Sequence, residues 1–307
     1  MRTLKRPDFE TTPRLNNGRL APMAWDIHEY TSLAMLWKVV PAFILLSQGL
    51  AQSAVSKDVF ENISRYTAFS AAAYADTCET PPAGSKVIQY FSDEATDTQG
   101  TLFEDEAKQE LIMAFRGTSS PKDLDTDLIF TLVPLSAPGT KCSDCKEAYV
   151  AVESDVVAAI KKHKSGSLTV TGHSLGGSIA AIASSALAEQ FGNITTYTFG
   201  EPRNGDAAFG KYVSGLVPDE NYFRVTHHND GVPQIPPTQL GFEHHGPEYW
   251  EKAGDQNDAS TTLACGPDSK KCNAAQDFGD GPINRAHLTY TNMAIGNSLF
   301  VEACGAK

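Results

Sequence analysis

The chain has 307 residues, 41% of them hydrophobic, which is ample for one large core in a single α/β domain. Its formal net charge is −12. That balance argues against nucleic acid or an anionic membrane surface as a partner.

The first fifty residues are unlike the rest. Met1 to Tyr30 is polar, holds several Arg and Pro, and shows no hydrophobic period. Met35-Leu36-Trp37-Lys38 then opens a short apolar run, which ends in small residues at Gly49 and Ala51. A charged start, a short apolar stretch and small residues predict a secretory signal over 35–51, cut near Ala51. Residues 1–34 then read as an upstream extension, and 52–307 as one domain. The apolar run is too short, and too interrupted by Pro41, for stable membrane insertion.

In chain order, a helix is predicted from Ser56 to about Ala75, with Val59, Ile63, Tyr66 and Tyr74 at helical spacing. Val87–Phe91 and Thr101–Phe103 read as strands, and Glu110–Arg116 as a buried strand that runs into a loop at Gly117-Thr118. Glu147 to Lys162 carries Val150, Val156, Val157 and Ile160 on a helical period. Further strands are expected at 194–199 and 221–227, with a helix over 206–213 between them. Strands alternating with helices predict a mostly parallel central sheet covered by helices on both faces. Ligands then bind at the carboxyl ends of the strands.

Leu168-Thr169-Val170-Thr171 leads into Gly172-His173-Ser174-Leu175-Gly176, and small helix-compatible residues follow. Strand, sharp turn and helix around Gly-x-Ser-x-Gly form a nucleophile elbow. There the serine takes a strained backbone conformation, and the two glycines let strand and helix approach closely. A serine hydroxyl needs a base and a carboxylate to become a nucleophile. In this architecture the order is Ser, then acid, then His. Asp230 follows a later strand in the turn Asn229-Asp230-Gly231. His244, His245 and His287 lie beyond it, and spacing does not choose among them. His173 is too close to Ser174 to act as base and supports the turn. His227 and His228 read as structural, and His163 as a helix-face residue.

The six cysteines, Cys78, Cys142, Cys145, Cys265, Cys272 and Cys304, suit a secreted chain with three disulfides, and their spacing leaves the pairing open. Cys142-Ser143-Asp144-Cys145 lacks a second pair with zinc spacing and reads as a structural loop. Asn62-Ile63-Ser64 and Asn193-Ile194-Thr195 are glycosylation sequons.

The elbow, Ala114-Phe115-Arg116-Gly117-Thr118, Tyr222 through Pro233 and Glu248-Tyr249-Trp250 together resemble the secreted fungal lipases of class 3. The feruloyl esterase branch is the nearest within them. Thr198 through Arg203 and Ala72-Ala73-Tyr74-Ala75-Asp76 point the same way, and the likeness runs from about Asp58 to Cys304. It implies an α/β-hydrolase fold with Ser174 as nucleophile, Asp230 as acid and His287 as base, and no metal or cofactor. It also implies an oxyanion hole at Thr118 and Leu175, and the disulfides Cys78–Cys304, Cys142–Cys145 and Cys265–Cys272.

Two departures bear on substrate. About ten residues of the feruloyl esterase pattern are missing after Cys145, and Phe130 stands where a ring-contacting tyrosine is expected. Three readings follow: a secreted serine lipase or esterase, a feruloyl esterase acting on cell-wall polysaccharide, and a non-catalytic binding protein on a hydrolase scaffold. In the family the stretch after Thr118 covers the site. Here 119–129 has a narrow apolar stripe, Leu124, Leu128 and Ile129, among three aspartates and a lysine. That composition predicts weak interfacial activation and a preference for dissolved esters.

Overall fold

The structure is a computed structural model that describes residues 52–118, 133–134, 141–142, 145–163, 166–297 and 301–305. The expected upstream extension and signal, the stretch 119–129 and Phe130 lie outside the described residues.

Nine strands form the sheet: β1 (Ser53–Ala54), β2 (Lys86–Asp93), β3 (Thr98–Asp105), β4 (Glu110–Phe115), β5 (Ser167–His173), β6 (Ile194–Phe199), β7 (Tyr222–His227), β8 (Glu248–Glu251) and β9 (Thr262–Cys265). Their spatial order is β1-β9-β8-β7-β6-β5-β4-β3-β2. The central run β4 to β8 is parallel, as the alternation of strands and helices predicted. Antiparallel strands extend it at both edges, so the whole sheet is mixed. Short β8 and β9 carry no apolar alternation and were not expected as strands.

Among the described residues the α-helices are α1 (Lys57–Ala72), α2 (Cys145–His163), α3 (Leu175–Phe191) and α4 (Ala207–Leu216). Ser56 caps α1 by accepting from the Val59 N–H at 3.3 Å, and Asp206 caps α4 by accepting from the Phe209 N–H at 2.9 Å. Successive side chains of a strand point to opposite faces. In β4, Leu111, Met113 and Phe115 therefore join the core under α2, α3 and α4. Ile112 and Ala114 join the core under α1, with Ile63, Tyr66, Phe69 and Phe199.

Helix α2 begins at Cys145 itself, so the short segment there still delivers a full 19-residue helix. Its Tyr149 is buried edge-on against Phe115. Disulfides join Cys78 to Cys304 and Cys265 to Cys272, the two pairings implied above. Cys142 is buried and its backbone bridges to Gly205; the side chain of Cys145 lies outside the described residues, and with it the third pairing. Asn62 on α1 and Asn193 between α3 and β6 are both exposed, so neither sequon is closed off by packing.

Candidate active site

The parallel strands deliver their carboxyl ends to one edge, and β5 ends there at Ser174. Its backbone sits at φ 58°, ψ −127°, a left-handed conformation that a side chain rarely adopts. The turn is enforced by close backbone crossings. A Cβ on Gly172 would stand 2.1 Å from the Gly176 carbonyl oxygen, and one on Gly176 would stand 2.3 Å from that of Phe115. Only glycine fits at either place. The Ser174 N–H donates to the Phe199 carbonyl at 2.8 Å, which ties the elbow to β6.

Three side chains distant in sequence meet at this turn. The Ser174 hydroxyl lies 2.9 Å from Nε2 of His287. Nδ1 of His287 lies 2.9 Å and 3.1 Å from the two carboxylate oxygens of Asp230. All three are buried. Asp230 Oδ1 also accepts from the Val232 N–H at 2.9 Å, and Oδ2 accepts from the Tyr290 hydroxyl. The loops that carry acid and base brace each other. The Asn284 amide donates to the Asn229 carbonyl at 2.7 Å, the Asn273 amide to that of Asp230 at 2.8 Å, and the Gly231 N–H to that of Pro282 at 3.0 Å.

Of the three histidines that spacing left open, only His287 reaches Ser174. His244 is buried with Nε2 2.7 Å from the Pro233 carbonyl. His245 packs between Phe209 and Tyr222. Burial, and then the Arg224 charge, hold His245 down at about 3 and push His244 well below the usual imidazole range. His227 spans the carbonyls of Ala286 and Ala253 at 3.0 and 2.9 Å, the structural part expected of it.

The family resemblance implied oxyanion donors at Leu175 and Thr118. Leu175 opens α3, where first-turn N–H groups have no partner within the helix. Thr118 is buried on the loop after β4. The residue before it lies close to Ser174: a Cβ on Gly117 would stand 3.0 Å from Cβ of Ser174.

Two participants were not assigned a role from the sequence. Tyr290 lies on a two-stranded ribbon, Thr289–Tyr290 and Met293–Ala294, that follows His287. Burial first, and then the Asp230 carboxylate, raise its phenol well above the usual range, so it keeps its proton and donates. Tyr74, just beyond α1, is buried with its hydroxyl 2.8 Å from Nδ1 of His173. Tyr74 had no signal beyond its place in a motif and a helical period, and Tyr290 had none, because a buried tyrosine hydroxyl looks like core until its partner is known. A set of metal-type donors among the described residues, Glu248 with Cys265 and Cys272, is disqualified because its two sulfurs share a disulfide.

The chain is similar in sequence and fold to known lipases. Residues 112–240 match the family model for lipase (class 3). A lipase of Rhizomucor miehei is 29% identical over 309 residues, covering 91% of this chain and 82% of that protein. Secreted mono- and diacylglycerol lipase A of Penicillium cyclopium is 31% identical over 196 residues, covering 60% of this chain and 62% of that protein. A solved triacylglycerol lipase, whose catalytic centre is described as a serine protease triad, superposes with a TM-score of 0.69 at 27% identity, covering 81% of this chain and all of that one. On these grounds the chain is similar to the lipase class 3 family over residues 112–240, has the α/β-hydrolase fold, and is a carboxylic ester hydrolase.

Proposed function

We propose that the protein is a secreted lipase that cleaves acylglycerol esters through Ser174, His287 and Asp230 by way of an acyl-enzyme. The observation that carries this reading is the 2.9 Å approach of Ser174 Oγ to His287 Nε2 at a strained strand-to-helix turn. His287 takes the serine proton as Oγ attacks the ester carbonyl. The Leu175 N–H and Thr118 hold the tetrahedral oxyanion, each such donor being worth about 10²–10³ in rate. His287 then passes the proton to the leaving alcohol, and water repeats the cycle on the acyl-enzyme. Asp230 holds Nδ1 protonated and stabilises the imidazolium.

The substrate class rests on the relatives, which are named as lipases and as a mono- and diacylglycerol lipase. Secretion rests on the secreted Penicillium relative, the signal pattern at 35–51 and two disulfides. No helix among the described residues is long and apolar enough to cross a membrane. The hydrogen-bonded Ser–His–Asp array weighs against a non-catalytic scaffold.

A fluorescent alkyl phosphonate tests the mechanism. It is expected to label the wild-type chain once, at Ser174, and to leave Ser174→Ala unlabelled. Tributyrin, diacylglycerol and methyl ferulate assayed side by side test the substrate. Turnover of methyl ferulate alone would overturn the acylglycerol reading.

A further inference from the structure

We infer that His173 and Tyr74 are positioning residues for ester hydrolysis, which lock the backbone of His287 to the oxyanion-side loop at Gly117. The inference rests on the catalytic reading of Ser174 and His287.

The bonds run in one direction. Nε2 of His173 lies 2.8 Å from the backbone carbonyl oxygen of His287. A carbonyl only accepts, so Nε2 carries the hydrogen. His173 is buried, and burial followed by the neighbouring His287 charge pushes it well below the usual imidazole range, so it is neutral. A neutral imidazole with its hydrogen on Nε2 has a lone pair on Nδ1. The Tyr74 hydroxyl, 2.8 Å from Nδ1, must therefore donate there. The Tyr74 oxygen also packs against the Gly117 backbone, where a Cβ would stand 2.4 Å from it. Gly117 precedes the oxyanion residue Thr118. The directed series Tyr74 O–H, His173 Nε2–H, His287 C=O thus runs from beside the Gly117 backbone on one side of the reacting centre to the base on the other.

Reversing any member breaks two bonds. If His173 carried its hydrogen on Nδ1, the His287 carbonyl would lose its donor and the Tyr74 hydroxyl its acceptor. Leaving a buried polar group unpaired costs about 1–3 kcal/mol, so the tautomer is fixed. The ring of His173 also packs against that of His287, with centroids 4.6 Å apart. Gly117 cannot be exchanged: a Cβ there would stand 2.4 Å from the Tyr74 hydroxyl.

The test uses the full-length secreted protein, a soluble p-nitrophenyl ester and the phosphonate label. Tyr74→Phe keeps the ring and removes the hydroxyl. It is expected to lower kcat about tenfold with KM within about twofold, and to slow phosphonate capture by the same factor, because an interaction serving only the transition state is lost. His173→Gln retains an N–H donor for the His287 carbonyl and is expected to stay more active than His173→Leu at equal folded fraction by near-ultraviolet circular dichroism. A folded Tyr74→Phe chain with wild-type kcat and capture rate overturns the inference, as does a loss confined to KM. Should Tyr74→Phe fail to fold, the His173 pair decides, and equal activity in Gln and Leu variants overturns it. A wild-type chain that takes no phosphonate fails in a different way: it overturns the triad reading itself, and this inference with it.

Discussion

Tyr290 donates its hydroxyl hydrogen to Oδ2 of Asp230, the oxygen that also lies 2.9 Å from Nδ1 of His287. Phe199, His173 and His227 pack edge-on or tilted around its ring, so phenylalanine fits the same space. Tyr290→Phe removes one hydrogen bond to a buried carboxylate. We expect a loss of about 1.5–3 kcal/mol in a urea titration, with kcat lower by about tenfold.

Ser174 at φ 58° stores strain that the nucleophile's position requires. Such conformations cost about 1–3 kcal/mol for a residue with a Cβ, whereas glycine loses roughly 0.5–1 kcal/mol in chain entropy. Ser174→Gly and Ser174→Ala should both be inactive, to about a thousandth of wild type or below. Ser174→Gly should be the more stable of the two by thermal denaturation. Equal stability would show that the turn is not strained.

Gly200, at φ +58°, faces the acid and base directly. A Cβ there would stand 2.9 Å from both Asp230 Oδ2 and His287 Nδ1. Gly200→Ala should displace the pair and lower kcat by about 10²-fold, the usual result of a 1 Å misplacement. A steady-state assay against Ser174→Ala as the floor measures it.

Much of this arrangement was legible in the chain itself. The elbow declared itself because its glycines, β-branched strand and small-residue helix are all local demands of one sharp turn. Asp230 followed from strand order. His287 was not distinguishable from His244 and His245 by spacing, because what separates them is the partner each finds across the fold: Ser174 for one, Pro233 and Glu201 surroundings for the others. Strands β8 and β9 escaped notice for a related reason. Glu248 and Glu251 are buried in β8, where an alternating pattern would have called for apolar residues. Glu248 is held by the Thr226 hydroxyl, and Glu251 by the Thr291 N–H, neither of which is near in sequence.

Those buried carboxyls shape the dependence of stability on pH. Burial pushes Glu251 from its ordinary 4.5 up to about 8, and Glu201 up to about 7. Each keeps its proton in the folded chain over a window in which the unfolded chain has released it, so stability falls as pH rises from about 4.5 toward 8. His245, depressed from 6.5 to about 3, works the other way. The unfolded chain binds its proton first, so stability rises with pH across about 3 to 6.5. His244 and His173, also pushed well below the usual range, add to His245, so three imidazoles outweigh the two carboxyls on the acid side and a maximum near pH 6 is expected from urea midpoints. Glu251→Gln should flatten the alkaline limb and leave the acid limb unchanged.

The two disulfides close very different loops, 226 residues apart in one case and 7 in the other. Denatured-chain entropy makes the longer closure worth more. Replacing Cys78 and Cys304 together by serine should cost about 3–5 kcal/mol, and replacing Cys265 and Cys272 together about 2 kcal/mol. Urea titrations of the two double variants compare them directly.

The longer bridge also orders events during biosynthesis. Cys78 sits just beyond α1, the helix that covers one face of the sheet, yet its partner is residue 304. On the proposed secretory route, Cys78 stays a thiol beside Cys142, Cys145, Cys265 and Cys272 until that residue has entered an oxidising compartment, and it can meet any of them first. The correct cross-link is therefore a late event. Secretory yield should depend on how quickly mispaired bridges are reshuffled, more than on how quickly the sheet forms.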